Sequence, residues 1–298
     1  MRAEFAQAME NLYPCSKNSV FLTGDLGFMA LEQVKETYGR RFINMGVAEQ
    51  NMISFASGLA YEGFVPWVYS IASFLLLRPY EQIRNDVCLH NLPVKLIGNG
   101  GGYGYGIMGA THHTLEDIAV MRVLPNMKVF VPLTAADVEV AVNQMAKDLG
   151  PGYLRLNYGV KTNASLAEFQ QWRKIRDGKK GVVIGVGSVI GNILELDDDL
   201  EVWAVGILPF SELPKELIAA VKKQRKLLTI EEHYGQCGLN EAVARWLINE
   251  IDGQIDYRSV YALGYPSGRY GSQKWHQSES GLAGFGLKKI IREWSYGK

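Results

Sequence analysis

The sequence predicts an α/β protein of two consecutive domains, each a mostly parallel sheet flanked by helices. The domains are expected over residues 1–160 and 181–298, with a linker at 161–180. Three observations carry this reading. Short apolar strands alternate with helices through the first half, the pattern of a parallel sheet covered on both faces. The alternation loosens from Tyr158 to Lys180, where Asn163, Ser165, several charges and the turn Asp177-Gly178-Lys179-Lys180-Gly181 stand. It then resumes. The 298 residues suffice for two domains of ordinary size.

Phe5, Ala8, Met9 and Leu12 share one face over residues 2–13, which predicts an amphipathic helix. A short apolar strand is expected over 19–22, running into Thr23-Gly24-Asp25-Leu26-Gly27, and another over 42–45. A helix opening at Glu49 follows, then a strand over 65–70 and a helix over 74–90. A strand over 94–97 leads into a glycine-rich loop. Beyond it come a helix over 114–122, a strand over 128–131 and a helix over 135–147. In the second unit, strands are expected over 182–186, 201–205 and 226–230, and helices over 213–223, 239–250 and 282–294.

Composition narrows the function classes. Lys plus Arg and Asp plus Glu are both 31, so the net charge is zero. That argues against a nucleic-acid or anionic-membrane surface as the main business. Cys15, Cys88 and Cys237 are too few and too scattered for a disulfide framework or a metal-ligand spacing, which fits a reducing compartment. The start Met1-Arg2-Ala3-Glu4-Phe5 lacks the apolar core of a signal peptide. The most apolar stretch, 64–77, is too short to span a bilayer and holds Pro66. A soluble cytoplasmic protein is expected.

Chemistry concentrates in the first domain. Gly46-Val47-Ala48-Glu49-Gln50-Asn51-Met52 places a carboxylate at the start of a packed helix, where it costs desolvation energy unless it has a partner. A heterocycle nitrogen would be one such partner. Asp25 follows a strand and begins a loop, the region where open α/β sheets bind ligands, though a turn Asp reads the same way. Gly104, Gly106 and Gly109 spell Gly-x-Gly-x-x-Gly. The next helix starts too late for a dinucleotide site, and no Gly-Lys-Ser/Thr makes a Walker loop.

In order along the chain, the Gly46–Met52 stretch, Thr23-Gly24-Asp25-Leu26, the Ser70–Arg84 segment and Gly109-Ala110-Thr111-His112-His113 resemble the thiamine-diphosphate enzymes of the transketolase and deoxyxylulose-phosphate synthase group. The resemblance implies a thiamine-diphosphate-binding pyrimidine domain followed by a transketolase C-terminal-like domain. It implies that Glu49 bonds N1′ of the aminopyrimidine and so activates the cofactor. Asp25 and Leu26 would touch thiamine diphosphate across a subunit interface. Phe74 and Tyr80 match two aromatic positions of the transketolase form, Phe74 being the better stacking candidate; between them stands Leu77. His112 takes the position of a histidine that faces substrate and moves protons. His113 replaces the family's Gln as a substrate residue. Arg155 corresponds to an arginine that binds substrate phosphate.

Departures accompany the matches. Met108 stands where transketolases carry an Asp that reads a substrate hydroxyl, and their phosphate-binding His near Gly100 is missing. A deoxy or otherwise modified sugar fits such a site better. No Gly-Asp-Gly occurs, so the Mg²⁺ and diphosphate site of the family has no counterpart. The resemblance therefore implies the C-terminal subunit of a split transketolase. An N-terminal subunit would supply the diphosphate and Mg²⁺ site in an α2β2 assembly. Two other readings stand beside it: a deoxyxylulose-phosphate synthase-like or 2-oxo acid dehydrogenase β-like subunit, and a non-catalytic scaffold.

Overall fold

The computed structural model describes residues 1–161 and 166–296; Asn163 and Ser165, read as part of a linker, lie outside the described residues. The first domain runs α1 (Arg2–Leu12), β1 (Ser19–Thr23), α2 (Glu32–Tyr38), β2 (Phe42–Asn44), α3 (Glu49–Tyr61), β3 (Val65–Ile71), α4 (Ala72–Leu77), α5 (Tyr80–Gln82), β4 (Lys95–Asn99), α6 (Asp117–Arg122), β5 (Lys128–Phe130), α7 (Ala136–Lys147) and β6 (Gly152–Leu156). The second runs β7 (Trp172–Arg176), β8 (Val182–Val186), α8 (Ile190–Leu194), β9 (Glu201–Val205), β10 (Ile207–Leu208), α9 (Lys215–Gln224), β11 (Lys226–Glu231), α10 (Leu239–Glu250), β12 (Asp256–Tyr261), α11 (Gln273–Glu279) and α12 (Gly284–Tyr296).

Two mostly parallel sheets result, as the sequence predicts. The first has the order β10-β5-β6-β4-β3-β1-β2 and the second β12-β11-β8-β9-β7. Among the described residues, β10 and β7 alone of the strands run antiparallel, both at edges. Successive strand residues point to opposite faces. Phe21, Trp67 and Tyr69 pack with Phe5 and Met9 of α1 on one face of the first sheet. Leu22 and Val68 pack with Met52 and Ile53 of α3 on the other. Burial on both faces explains the near-continuous apolar strands.

The strand order positions the site. From β1 the chain crosses to β2 on one side, while from β3 it crosses to β4 on the other. The connections diverge between β1 and β3, and ligands in open α/β sheets bind in the crevice at the carboxyl ends beside such a switch point.

Several elements differ from the sequence reading. The helix expected over 74–90 stops at Leu77, since Pro79 cannot donate to the helical ladder. It restarts as α5 and widens into a π-type turn over Ile83–Cys88. The helix expected from 114 begins only at Asp117, because Thr114 pairs with Gly102 in an antiparallel bridge. Trp172–Arg176, within the span read as a linker, is β7, paired with β9. Arg173 on it forms an ion pair with Asp137 of α7. No helix of the described residues is long and apolar enough to cross a membrane.

Candidate active site

The carboxyl ends of β1, β2 and β3 converge on Glu49. Asn44 closes β2, and its side chain ties two loops together. Its Oδ1 accepts the N–H of Asp25 and of Gly46, both at 3.0 Å, and its Nδ2 donates to Asp25 Oδ1 at 2.9 Å. Asp25 is exposed and held at φ 58, a left-handed conformation that Asp tolerates better than most residues. Leu26 is half-buried against the α1 side of the core, and its carbonyl accepts the Thr23 hydroxyl at 3.0 Å. Gly46, at φ +70, turns the chain into α3, whose first residue is Glu49.

Glu49 is only 3 % exposed. Ser70, near the end of β3, donates its hydroxyl to Oε1 at 3.4 Å, and Arg78 donates Nη1 to Oε2 at 2.8 Å. The guanidinium of Arg78 also lies 4.0 Å from the centroid of the Phe74 ring. Phe74 in turn meets His112 edge-on, with centroids 5.1 Å apart. His112 is half-buried, with Tyr105 at 5.8 Å and the Thr111 hydroxyl 2.9 Å from Nδ1. Glu49, Phe74 and His112 thus share one neighbourhood, bridged by Arg78. A cavity of about 390 Å³ opens on it, lined by Val47, Ala48, Glu49, Gln50, Asn51 and Arg78. Val47, which lines the cavity, is exposed, as are Phe28 and Met29 in the loop after β1, Leu77 at the end of α4, and Ile107 and Met108 in the glycine-rich loop.

Three expected site residues lie elsewhere. Tyr80 donates its hydroxyl to the Val120 carbonyl at 3.0 Å and lines a separate cavity of about 930 Å³ with Phe210 and Trp246 of the second domain. His113 is buried, and both ring nitrogens are committed. Nε2 donates to the Gly106 carbonyl at 2.7 Å, which leaves Nδ1 to accept the Tyr265 hydroxyl at 3.0 Å. Burial pushes its pKa down to about 4. His113 is therefore a tie between domains, with no free atom for a substrate. Arg155 is 3 % exposed. Its Nε donates to Asp117 at 2.6 Å and its Nη2 to the Glu232 carbonyl at 2.9 Å. Those bonds turn the guanidinium into the protein rather than toward a substrate phosphate.

Glu232 carries no motif in the sequence, yet it organises the glycine-rich loop. It is buried, and burial raises its pKa. It accepts the Tyr103 N–H at 2.6 Å, Gln273 Nε2 at 2.9 Å, and Gln277. Arg78 also escapes a reading by motif. Its spacing of four from Phe74, which brings side chains together on a helix, is the signal that could have found it.

The fold and the site define an α/β protein with a buried carboxylate at a switch point. Residues 1–159 match the transketolase pyrimidine binding domain, and residues 170–277 match the transketolase C-terminal domain. The chain belongs to the transketolase family. It is 35 % identical over 268 residues to 1-deoxy-D-xylulose-5-phosphate synthase 2 of Geobacter sulfurreducens, covering 85 % of this chain and 42 % of that protein. It thus spans less than half the length of that relative. It is 30 % identical over 214 residues to one of the apulose-4-phosphate transketolase subunits of Actinobacillus succinogenes, covering 68 % of this chain and 69 % of that one. Among solved structures, a split-gene transketolase described as an inactive β4 tetramer superimposes with a TM-score of 0.82 at 27 % identity, over 99 % of this chain and 97 % of that one.

Proposed function

We propose that this chain is the C-terminal subunit of a split, thiamine-diphosphate-dependent transketolase, which moves a two-carbon ketol unit from a ketose to an aldehyde. A modified sugar is the expected substrate class, because Met108 replaces a hydroxyl-reading acid. The observation that carries the reading is Glu49: a buried carboxylate opening a helix beside a cavity and an aromatic ring.

The residues present fit the pyrimidine end of the cofactor. Glu49 would bond the ring nitrogen N1′, Phe74 would offer its face, and Asp25 and Leu26 would border the ring from across the subunit interface. When bound, the cofactor supplies the carbon nucleophile that attacks the donor carbonyl. Glu49 would exchange a proton with N1′. His112, with Thr111 on Nδ1, has Nε2 left to move protons at substrate oxygens. The exposed apolar residues of the loops after β1 and β2 and of the glycine-rich loop are suited to docking a second chain.

That second chain would carry the diphosphate and Mg²⁺ ligands, giving an α2β2 enzyme in the cytoplasm. Among the described residues, no group of three or more His, Cys, Asp or Glu could hold a metal ion. The inactive β4 tetramer of the split-gene relative supports a chain that is silent alone. The 35 % identity to a deoxyxylulose-phosphate synthase favours a second reading, in which the donor is decarboxylated.

The test is co-expression with a chain bearing Gly-Asp-Gly and its following Asn, then calorimetry of thiamine diphosphate with Mg²⁺. Tight binding by the pair alone, lost in Glu49→Ala, is expected. Binding by neither the pair nor the single chain would leave the scaffold reading in its place.

A further inference from the structure

Arg78 contacts both groups that the proposed function assigns to the aminopyrimidine. Its guanidinium is planar and cationic. It donates Nη1–H to Glu49 Oε2 at 2.8 Å and lies 4.0 Å from the centre of the Phe74 ring. An aminopyrimidine held by the same carboxylate and ring would use the same two partners, sharing a proton with the carboxylate in the plane and laying a face on the aromatic. A planar guanidinium is the side chain best able to imitate both. We infer that Arg78 is a placeholder, an internal cation that holds the pyrimidine subsite of the free chain and must swing out when the cofactor enters. The inference rests on Glu49 and Phe74 being the pyrimidine's partners.

Two further observations fit this role. Glu49 is buried, so leaving its charge unpaired is costly, and Arg78 answers it. Arg78 itself is 44 % exposed, so its departure into water needs no repacking of the core. It also sits at the break between α4 and α5, just before Pro79. An ion pair with one exposed partner is a weak latch, and the stack over Phe74 adds little more. The latch can therefore spare Glu49 an unpaired charge and still yield to a ligand.

The consequence is a pair of effects of opposite sign. Removing Arg78 leaves Glu49 unpaired and destabilises the free chain, yet it vacates the subsite. A residue that supports the pyrimidine would lower both stability and affinity when removed. The experiment uses the purified full chain, alone and reconstituted with the diphosphate-binding partner chain, and 4-amino-5-hydroxymethyl-2-methylpyrimidine, the pyrimidine half of the cofactor, titrated to millimolar concentration by NMR. Thermal unfolding is measured alongside. Arg78→Ala is expected to melt lower than the wild type and to bind the pyrimidine about three- to thirtyfold more tightly, the fold-change matching loss of one exposed ion pair and one stack. Arg78→Gln gives the same sign should the alanine variant not fold. Equal or weaker binding by the variants overturns the inference and leaves the function proposal standing. Binding by none of the proteins overturns the assignment of Glu49 to the pyrimidine, and this inference with it.

Discussion

Glu232 of the second domain accepts the backbone N–H of Tyr103, in the glycine-rich loop of the first, at 2.6 Å. The contact is tight enough that a Cβ on Gly102, at φ +66, would collide with Glu232 Oε1. Tyr103 is buried, stacks on His276 and donates its hydroxyl to the Gly264 carbonyl. The loop that ends in Thr111 and His112 is therefore anchored from the second domain.

Replacing Glu232 tests that anchor. Glu232→Ala strands the Tyr103 N–H and the amide of Gln277, while Gln273 keeps Asn157 Oδ1 at 3.2 Å. Each buried unsatisfied donor costs about 1–3 kcal/mol, so the melting temperature should drop by several degrees or more. Hydrogen exchange should quicken across 102–114 while the strands of the first sheet stay protected. Gly102→Ala should produce the same local loss. Unchanged exchange in both variants would show that the loop holds itself.

Arg155 and Asp117 form an ion pair in which both side chains are almost fully buried. Breaking such a pair from one side leaves an uncompensated charge and costs about 3–5 kcal/mol. Arg155→Leu should lower the unfolding free energy by that amount in urea titrations. An arginine that served only substrate phosphate would leave stability alone and raise KM.

His113 should make the protein acid-sensitive. Burial depresses its pKa from 6.5 in the unfolded chain to about 4 when folded. The unfolded chain then binds the proton more tightly, so this contribution to stability is complete above pH 6.5 and is lost as pH falls toward 4. Each pH unit in that window costs up to roughly 1.4 kcal/mol. His276, Tyr103 and Tyr265 surround the ring and offer it no anion. His113→Gln should flatten the stability profile between pH 6.5 and 4; a profile as steep as the wild type's would assign the acid sensitivity elsewhere.

The sheets and the helix opening at Glu49 were legible because their signals are local: apolar runs, turn residues and one seven-residue stretch. The positions that lie away from Glu49 depended on side-chain direction. His112 and His113 are neighbours, yet one faces Phe74 and the other packs under Tyr265. Arg155 lies on β6, and no period told whether its face met solvent or the second domain. The pairing of β10 with β5 crosses between domains and has no local signature. The end of α4 did have one, Pro79.

Glu49 and His112 should separate by readout, which is the sharpest check on the proposed chemistry. Glu49 opens α3 at the cavity, whereas His112 lies beyond Phe74 on the anchored loop. In the reconstituted pair, Glu49→Ala should abolish cofactor binding along with turnover. His112→Ala should bind the cofactor as the wild type does and lose about 10²–10⁴-fold in kcat, the span of a missing acid–base group. An imidazole acting on substrate also predicts a pH–rate limb near neutrality that vanishes in this variant. If His112→Ala instead loses cofactor binding and keeps its pH profile, the histidine belongs to the pyrimidine pocket, and the proton work falls to another group.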